Sequence, residues 1–419
     1  MGEVYQLYDI LFLCMDNSLK KNLSWNTIGM ILYNLAIWVF SVLILRITGA
    51  KESGYYAIAS SLGNTFYAIS LWGMRSFIVS DQKNRYTYKE YVITRIVAVI
   101  LSIAIMFVTA TISSYSLEIV RVLIAYSMFK FAEALIELCD SLAQQKMVMD
   151  INAKSMVIRG VLYIILFYLS LVITKESYIA FSVITICSLL ILYFYNYKKL
   201  CKFISFHETA KKENITDILK KCFPIMAFEL LAAAIVAIPR IFYEKIGSYE
   251  DLGIYVSIYT MVVFLQLVIN ILIYTFAPYM AKAYQEKKMK QFKKYILFVV
   301  FGAVGLGLLA EILVYLIGEP VMTLIFGVIA GHKYHYLYLG IVSGVTLALT
   351  WLISQIFVIL GKNNSQLVSA VISVIVCIIV SLVYIDGKDC NRMSIVLIVS
   401  NISFVISSCL MMKNSRRVI

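Results

Sequence analysis

Residues 48–54, Thr48-Gly49-Ala50-Lys51-Glu52-Ser53-Gly54, form the turn of a hairpin, and the reading of that hairpin decides the fold. The runs on either side, Trp25 to Ile47 and Tyr55 to Val79, are apolar over the about 20 residues that a helix needs to cross a bilayer. Each arm nevertheless carries one arginine, Arg46 closing the first and Arg75 near the end of the second. A bare cation in hydrocarbon costs a few kcal/mol, so such a residue faces a cavity, a partner or the membrane surface. The hairpin is echoed later. Arg46-Ile47 ahead of Gly54-Tyr55-Tyr56 corresponds to Lys245-Ile246 ahead of Gly253-Ile254-Tyr255, with the base eight positions before the glycine each time (46 to 54, 245 to 253). Copies at equivalent places in two halves predict an internal repeat, with a substrate site at the repeat interface near the bilayer midplane.

Composition agrees with a chain built of such hairpins. Over 419 residues, 61% are hydrophobic and 15% charged, and the mean hydropathy is +0.86, which excludes a soluble domain. The chain is expected to be an all-α polytopic membrane protein without a removable signal peptide. The eight cysteines show no C-x-x-C spacing, which argues against a disulfide framework or a zinc site. Twelve spans are predicted, at about 24–47, 55–79, 91–112, 118–141, 157–174, 178–197, 222–245, 252–277, 295–317, 336–360, 367–385 and 393–412. The net charge of +13 is a topology signal: most of the 37 Lys and Arg fall in alternate loops, among them Lys83, Arg85, Lys198, Lys199, Lys287 and Arg416. Cytoplasmic loops are enriched in such residues, so both termini are assigned to the cytoplasm. The expected organisation is a segment 1–23 whose Val4, Leu7, Leu11, Phe12 and Met15 keep helical spacing, a six-helix bundle 24–197, a polar linker 198–221, a second bundle 222–412 and a tail 413–419.

Few residues inside the spans carry chemistry. The fourth span is the most polar, with Tyr126, Lys130, Glu133, Glu137, Asp140 and Gln144 on one face. Two readings are open: a stripe neutralised within the helix by Lys130 and Glu133 and packed against neighbours, or the wall of a wet cavity. Three acids against one lysine leave an excess of negative charge, which suits a cation pathway or pairing with Arg46, Arg75 or Arg240. Glu229 and Glu311 are acids in otherwise apolar stretches, and Asn34, Asn64, Gln266, Asn270 and Gln355 add uncharged polar groups that either pack helices or line a cavity. Trp25, Trp38, Trp72 and Trp351 serve an interfacial belt or stack on sugars. His332 and His335, without neighbouring acids or cysteines, do not make a metal site. Pro239 within the seventh span permits a bend there, and Ala277-Pro278 is expected to end the eighth. The glycine-rich phosphate loop that ATP hydrolysis needs is absent from the sequence.

Leu45-Arg46-Ile47-Thr48-Gly49-Ala50 through Gly54-Tyr55-Tyr56, then Gly73-Met74-Arg75-Ser76-Phe77, Tyr88-Lys89-Glu90-Tyr91, Ala143-Gln144-Gln145-Lys146, Lys154-Ser155 to Arg159, Pro239-Arg240 and Leu252-Gly253-Ile254-Tyr255, resemble the bacterial polysaccharide-repeat flippases. These are the Wzx-type O-antigen and capsule translocases of the MOP superfamily, which also holds MATE-type multidrug exporters and lipid II flippases. The resemblance implies two six-helix bundles around a V-shaped cavity, and translocation of a polyprenyl-pyrophosphate-linked oligosaccharide across the bacterial cytoplasmic membrane. In lipid II flippases cavity arginines engage the pyrophosphate, and by this likeness Arg46, Arg75 and Arg240, with Lys130 beside them, take that part here. The lipid II flippases usually carry two further helices, which this length does not allow.

The sequence therefore predicts an alternating-access flippase for lipid-linked glycan. Arg46, Arg75, Arg240 and Lys130 hold substrate, Glu133, Glu137 and Glu229 are coupling or cavity acids, and Asn34, Asn64, Gln266 and Asn270 are polar lining. No cofactor is expected beyond coupling to Na+, H+ or the membrane potential, and no nucleic acid is a partner. Membrane lipid, the polyprenyl-linked glycan and a polysaccharide polymerase with its chain-length machinery are the expected partners. A MATE-like cation exporter is the nearest rival. A membrane glycosyltransferase or polymerase is the remote one, since the outer loops are short.

Overall fold

The computed structural model describes residues 17–81, 85–113, 115–204 and 209–415, and among these every regular element is helical. Twelve long helices follow in order: α1 Asn17–Ile47, α2 Ala50–Leu71, α3 Tyr88–Ile112, α4 Leu117–Gln145, α5 Met149–Thr174, α6 Ser177–Ile191, α7 Lys212–Glu244, α8 Tyr249–Gln285, α9 Met289–Phe326, α10 Tyr336–Ile359, α11 Asn363–Tyr384 and α12 Asn391–Ser415. Short helices Met74–Ser80 and Val328–His332 follow α2 and α9, and α6 runs on through a π turn to Leu200. The amphipathic segment expected around Val4 to Met15 lies outside the described residues.

Ten of the twelve are long and apolar enough to cross a membrane. The other two, α2 and α4, fall short because they are polar, and their surroundings explain why that is tolerated. Most of α2 from Ser53 to Ser61 and most of α4 from Val122 to Gln145 is buried against other helices, so their polar groups meet protein rather than lipid. α9 is the opposite case, with Leu308, Leu309, Ile312 and Leu316 all exposed as a lipid-facing surface would be.

Helices α1–α6 pack on one another, α1 against α5 and α4 against α2 and α6, and α7–α12 form a second group in which α11 and α12 pair and α10 sits against α8, α9 and α12. The first group is centred on Phe40, Phe129, Phe167 and Phe181, all fully buried, with Phe40 stacked on Phe167 at 4.3 Å between ring centres. Such pairs add roughly 0.5–1.5 kcal/mol beyond the area they bury.

The two groups meet through α2, which packs on both α7 and α8. The crossing falls on the two echoed glycines. A Cβ on Gly253 would lie 2.5 Å from the Gly54 nitrogen and 2.3 Å from the Ala50 carbonyl oxygen, and one on Gly54 would lie 2.1 Å from the Tyr249 carbonyl oxygen. Only glycine lets these backbones approach so closely. Around the crossing, Ser53 shares a 2.9 Å hydrogen bond with Ser257, Ser41 donates to Ser257 at 3.2 Å, and Tyr55 meets Tyr249 edge-on.

Several bounds differ from expectation. The opening turn is only Thr48 and Gly49, because α2 begins at Ala50, and α2 ends at Leu71 instead of near residue 79, so that Arg75 stands on the short helix Met74–Ser80. α7 begins at Lys212 rather than near residue 222, so its first turns belong to the helix and not to a linker. Those turns are held by the first half: Tyr86 donates to Asp217 at 2.5 Å, the Lys211 amide and Asn214 both donate to Glu90 at 2.9 Å, and Trp72 Nε1 donates to the Leu219 carbonyl at 3.0 Å. Ile218 and Cys222 complete an apolar cluster with Met74, Tyr91 and Leu142. α7 thus starts on one half and, beyond Pro224, continues in the other. Pro278 lies inside α8 instead of ending it, because the freed carbonyl of a proline is tolerable in a helix with packed neighbours. α9 is also longer than predicted and contains Pro320.

Candidate functional site

Between the halves lies a cavity of about 280 Å³ lined by Asn34 and Trp38 of α1, Tyr56 and Asn64 of α2, Tyr126 and Lys130 of α4, Arg240 of α7, and Tyr259 and Gln266 of α8. Five helices thus bring together two of the four predicted cations and three of the four predicted polar residues. Among the described residues no carboxylate lines this space. Lys130 Nζ lies over the Tyr67 and Tyr126 rings at 5.0 and 5.6 Å, and the Arg240 guanidinium lies 5.8 Å from the Tyr259 ring and donates to Ser61 Oγ at 3.2 Å. Tyr126 in turn donates to Asn64 Oδ1 at 3.0 Å. Aromatic faces stabilise a cation without neutralising it. Among the described residues Ser61 is the acceptor that Arg240 reaches, and the remaining guanidinium N–H donors fit an anion.

Two larger spaces, about 680 and 690 Å³, adjoin each other at the end of the molecule where α2 finishes and α7 begins. They share Ser76, Ser80, Glu229, Tyr274 and Gln355. Asn270 and Trp351 line one, Arg75 and Glu137 the other. Arg75 donates to Gln144 Oε1 at 3.2 Å. Trp38 and Trp351 therefore face cavities, and Trp38 meets Phe264 edge-on at 5.1 Å rather than sitting in an interfacial belt.

The acidic stripe of α4 is engaged elsewhere. Arg159 of α5, 3% exposed, donates to Glu133 at 2.7 Å and to Asp140 at 3.2 Å. Tyr163 donates to Glu133 at 2.5 Å, Tyr33 donates to the same carboxylate, and Asn152 and Asn196 surround Asp140. Arg95 of α3, fully buried, donates to Glu137 at 2.5 Å and to the Ser70 carbonyl at 2.9 Å. The expected pairing of Lys130 with Glu133, or of the stripe with Arg46, Arg75 or Arg240, gives way to partners on α3 and α5. The reason is geometric: Glu133 and Asp140 point away from the cavity that Lys130 faces, and only Glu137 reaches a cavity edge.

Arg46 lies apart from these cavities. Its guanidinium donates to the carbonyls of Thr323, Leu324 and Ile325, the last turn of α9, at 3.2 Å for Thr323 and 2.8 Å for Ile325. The Thr323 carbonyl also accepts from the capping Gly327 amide at 3.0 Å, and a basic side chain suits the negative end of the dipole. Arg46 thus ties α1 to α9 beside the glycine crossing. His332 faces Glu319 at 3.1 Å and His335 packs on the Tyr336 ring. Glu311 Oε1 is buried in α9 and without a partner among the described residues.

Arg95 is not singled out in the sequence, and Arg159 enters there only at the end of the stretch Lys154-Ser155 to Arg159, with no role attached, although a signal for both existed. Three acids in one span demand cations at membrane depth, and these two arginines sit within the neighbouring apolar runs.

The comparisons with known proteins agree with this architecture. The capsular polysaccharide biosynthesis protein CapF of Staphylococcus aureus is 24% identical over 312 residues, spanning 73% of this chain and 77% of its own. Among solved structures, the lipid II flippase MurJ in an inward closed conformation matches with a TM-score of 0.72 at 12% identity, over 93% of this chain and 87% of that one. A multidrug resistance MATE family transporter of the MOP superfamily, inward-facing, matches with a TM-score of 0.71 at 14% identity, over 93% and 96%. At these identities the structural likeness is one of fold. The family profile described as polysaccharide biosynthesis protein matches residues 19–284, well over half of the chain. The chain belongs to the polysaccharide biosynthesis protein family, on the fold of the MOP superfamily.

Proposed function

We propose that this protein flips a polyprenyl-pyrophosphate-linked oligosaccharide repeat unit across the bacterial cytoplasmic membrane for surface polysaccharide synthesis. The observation that carries the reading is the carboxylate-free cavity holding Lys130 and Arg240. A pyrophosphate needs cations with unspent donors, a glycan needs polar and aromatic groups, and the prenyl tail stays in lipid. Arg75, in the wider space at the end where α7 begins, gives a first contact on the way in. With the orientation that the basic loops assign, the wide end faces the cytoplasm, and the glycine crossing with Arg46 closes the far side. Transport then requires that crossing to part.

The exporter of cationic compounds is disfavoured by the same geometry. The acids of the α4 stripe are held by Arg95 and Arg159, and the charges lining the cavity between the halves are positive, which leaves Glu229 as the acid of the wider spaces outside an ion pair among the described residues. The test follows lipid-linked repeat units by leaflet in cells that lack the gene and carry either the intact protein or Arg240→Ala. Inner-leaflet accumulation in the variant supports flipping. Normal surface polysaccharide together with lost efflux of a lipophilic cation would transfer the assignment to the exporter, and incomplete glycans would transfer it to a glycosyltransferase or polymerase. A reporter fused after Gly387 is expected to read extracytoplasmic.

A further inference from the structure

The second half contains another built space, away from the path between the halves. α9 and α12 each pack on α10, and the groove they leave, about 570 Å³, is walled by Ile296 of α9, Leu352 and Ile356 of α10, and Cys409 and Met412 of α12. That volume lies within the roughly 300–1,000 Å³ of small-molecule sites. Leu352 and Ile356 are buried at its floor, while Cys409 is exposed at its rim. The groove shares no lining residue with the three central cavities.

Two charges interrupt the apolar lining, and both are lysines: Lys293 in the first turns of α9 and Lys362 in the turn between α10 and α11. Both lie at the end of the molecule that carries the α12 C-terminus. The acid nearest to Lys293 in sequence, Glu286, is already taken by Lys288 at 2.7 Å and Lys282 at 3.9 Å. α9 and α11 also start there, at Met289 and Asn363, with Lys288 and Lys362 as their N-caps and no side-chain oxygen closing either first turn. Two ammonium groups beside two helix N-termini fit a phosphate, and an apolar groove leading away from them fits a hydrocarbon chain.

We infer that the groove between α9, α10 and α12 binds one anionic phospholipid of the leaflet facing that end, its phosphate on Lys293 and Lys362 and an acyl chain along Leu352 and Ile356. A free phosphate would leave the apolar groove unfilled. The groove shares no lining residue with the cavity that holds Lys130 and Arg240, so its occupant is assigned separately from a substrate there. The inference rests on membrane placement alone and is independent of what the central cavity carries.

Purification of the full chain in mild detergent, followed by mass spectrometry of the lipids that remain bound, tests it. The intact protein is expected to retain about one phosphatidylglycerol or cardiolipin per chain, enriched over its share of the membrane. K293Q/K362Q is expected to lose it by roughly fivefold per lysine, about 25-fold in all. K293R/K362R is expected to keep it, which separates loss of charge from loss of fold. K287Q/K290Q, which changes lysines outside the groove, is expected to keep it too. Cys409→Trp, which fills the rim and leaves both lysines in place, is expected to lose it. Retention in K293Q/K362Q or Cys409→Trp overturns the site, as does equal loss in K287Q/K290Q, which would mean diffuse surface attraction. A polyprenyl phosphate found as the retained species overturns the phospholipid and makes the groove part of the substrate path.

Discussion

Arg159 and Arg240 are both cations deep among helices, and their surroundings differ in kind. Arg159 sits in a cage of Glu133, Asp140 and Tyr33, every strong acceptor within reach being one of its own protein. Arg240 has one hydroxyl and an aromatic face, on a cavity wall that Lys130 also lines. A buried charge that is paired holds a bundle in one arrangement, whereas one that is left wanting an anion is arranged for something that comes and goes. The first half keeps its acids for itself, and the interface between the halves keeps its cations for a ligand.

The largest effect is expected where the paired network is broken. Arg159→Ala leaves Glu133 and Asp140 buried without their counter-charge, and removing one partner of a buried pair costs about 3–5 kcal/mol. Thermal unfolding in detergent is the measurement, and a melting point within a degree or so of the intact protein would end the distinction drawn here. Adding Glu133→Gln and Asp140→Asn to that variant is expected to restore much of the loss, since the stranded charges are then gone.

Next comes Arg240→Ala, which is expected to leave the melting point nearly unchanged and to reduce transport by roughly 10- to 150-fold, the worth of a charge-assisted contact of about 1.5–3 kcal/mol. Lys130→Ala is expected to behave alike. Arg240→Lys should recover part of the activity, because lysine keeps the charge and loses the two-pronged fork. If Arg240→Ala unfolds the protein instead, the two arginines are of one kind after all.

Glu133→Gln separates the flippase from the exporter. In the flippase the change weakens the cage but keeps a hydrogen-bonding side chain of the same shape, so surface polysaccharide is expected to fall only in step with protein level. Collapse of transport at normal protein level would give Glu133 a place in the coupling of the cycle.

The smallest effect is expected at Arg46. Its bonds to the α9 carbonyls are solvent-exposed, so Arg46→Ala is expected to cost at most about 1 kcal/mol of stability. What it should change is the closed end: a cysteine placed at Ser53 is expected to react faster with a membrane-impermeant maleimide from outside. An unchanged rate would make Arg46 a cap for α9 and nothing more.

Much of the architecture was legible in the residues. Hydropathy marks ten of the twelve long helices, since a crossing demands about 20 apolar residues, while the polar α2 and α4 stand out less by hydropathy than by their place between such runs. The glycine echo was legible as a pair of matching positions, but that the two glycines meet where α2 crosses α8 was shown only by the tertiary structure, in which the close approach of two backbones leaves no room for a side chain. Arg75, Arg240, Lys130 and the polar set Asn34, Asn64, Gln266 and Asn270 were marked by being polar inside apolar runs, and the cavities gather all of them. The start of α7 was not legible, since Lys212 to Lys221 is as polar as a loop and is helical only because Tyr86, Glu90 and Trp72 hold it.

The sequence by itself determined that this is an all-helical membrane chain with charges at membrane depth, because the cost of placing a polar group in hydrocarbon depends on residue type and spacing. Which acid meets which base was decided only by the tertiary structure. Arg46 and Arg240 read alike along the chain, each a lone cation near the end of an apolar run, yet one reaches three carbonyls of α9 and the other faces a cavity. Partner choice depends on the rotation of each helix about its axis and on its neighbours across hundreds of residues. A one-dimensional periodicity says which residues share a face and nothing about what that face meets.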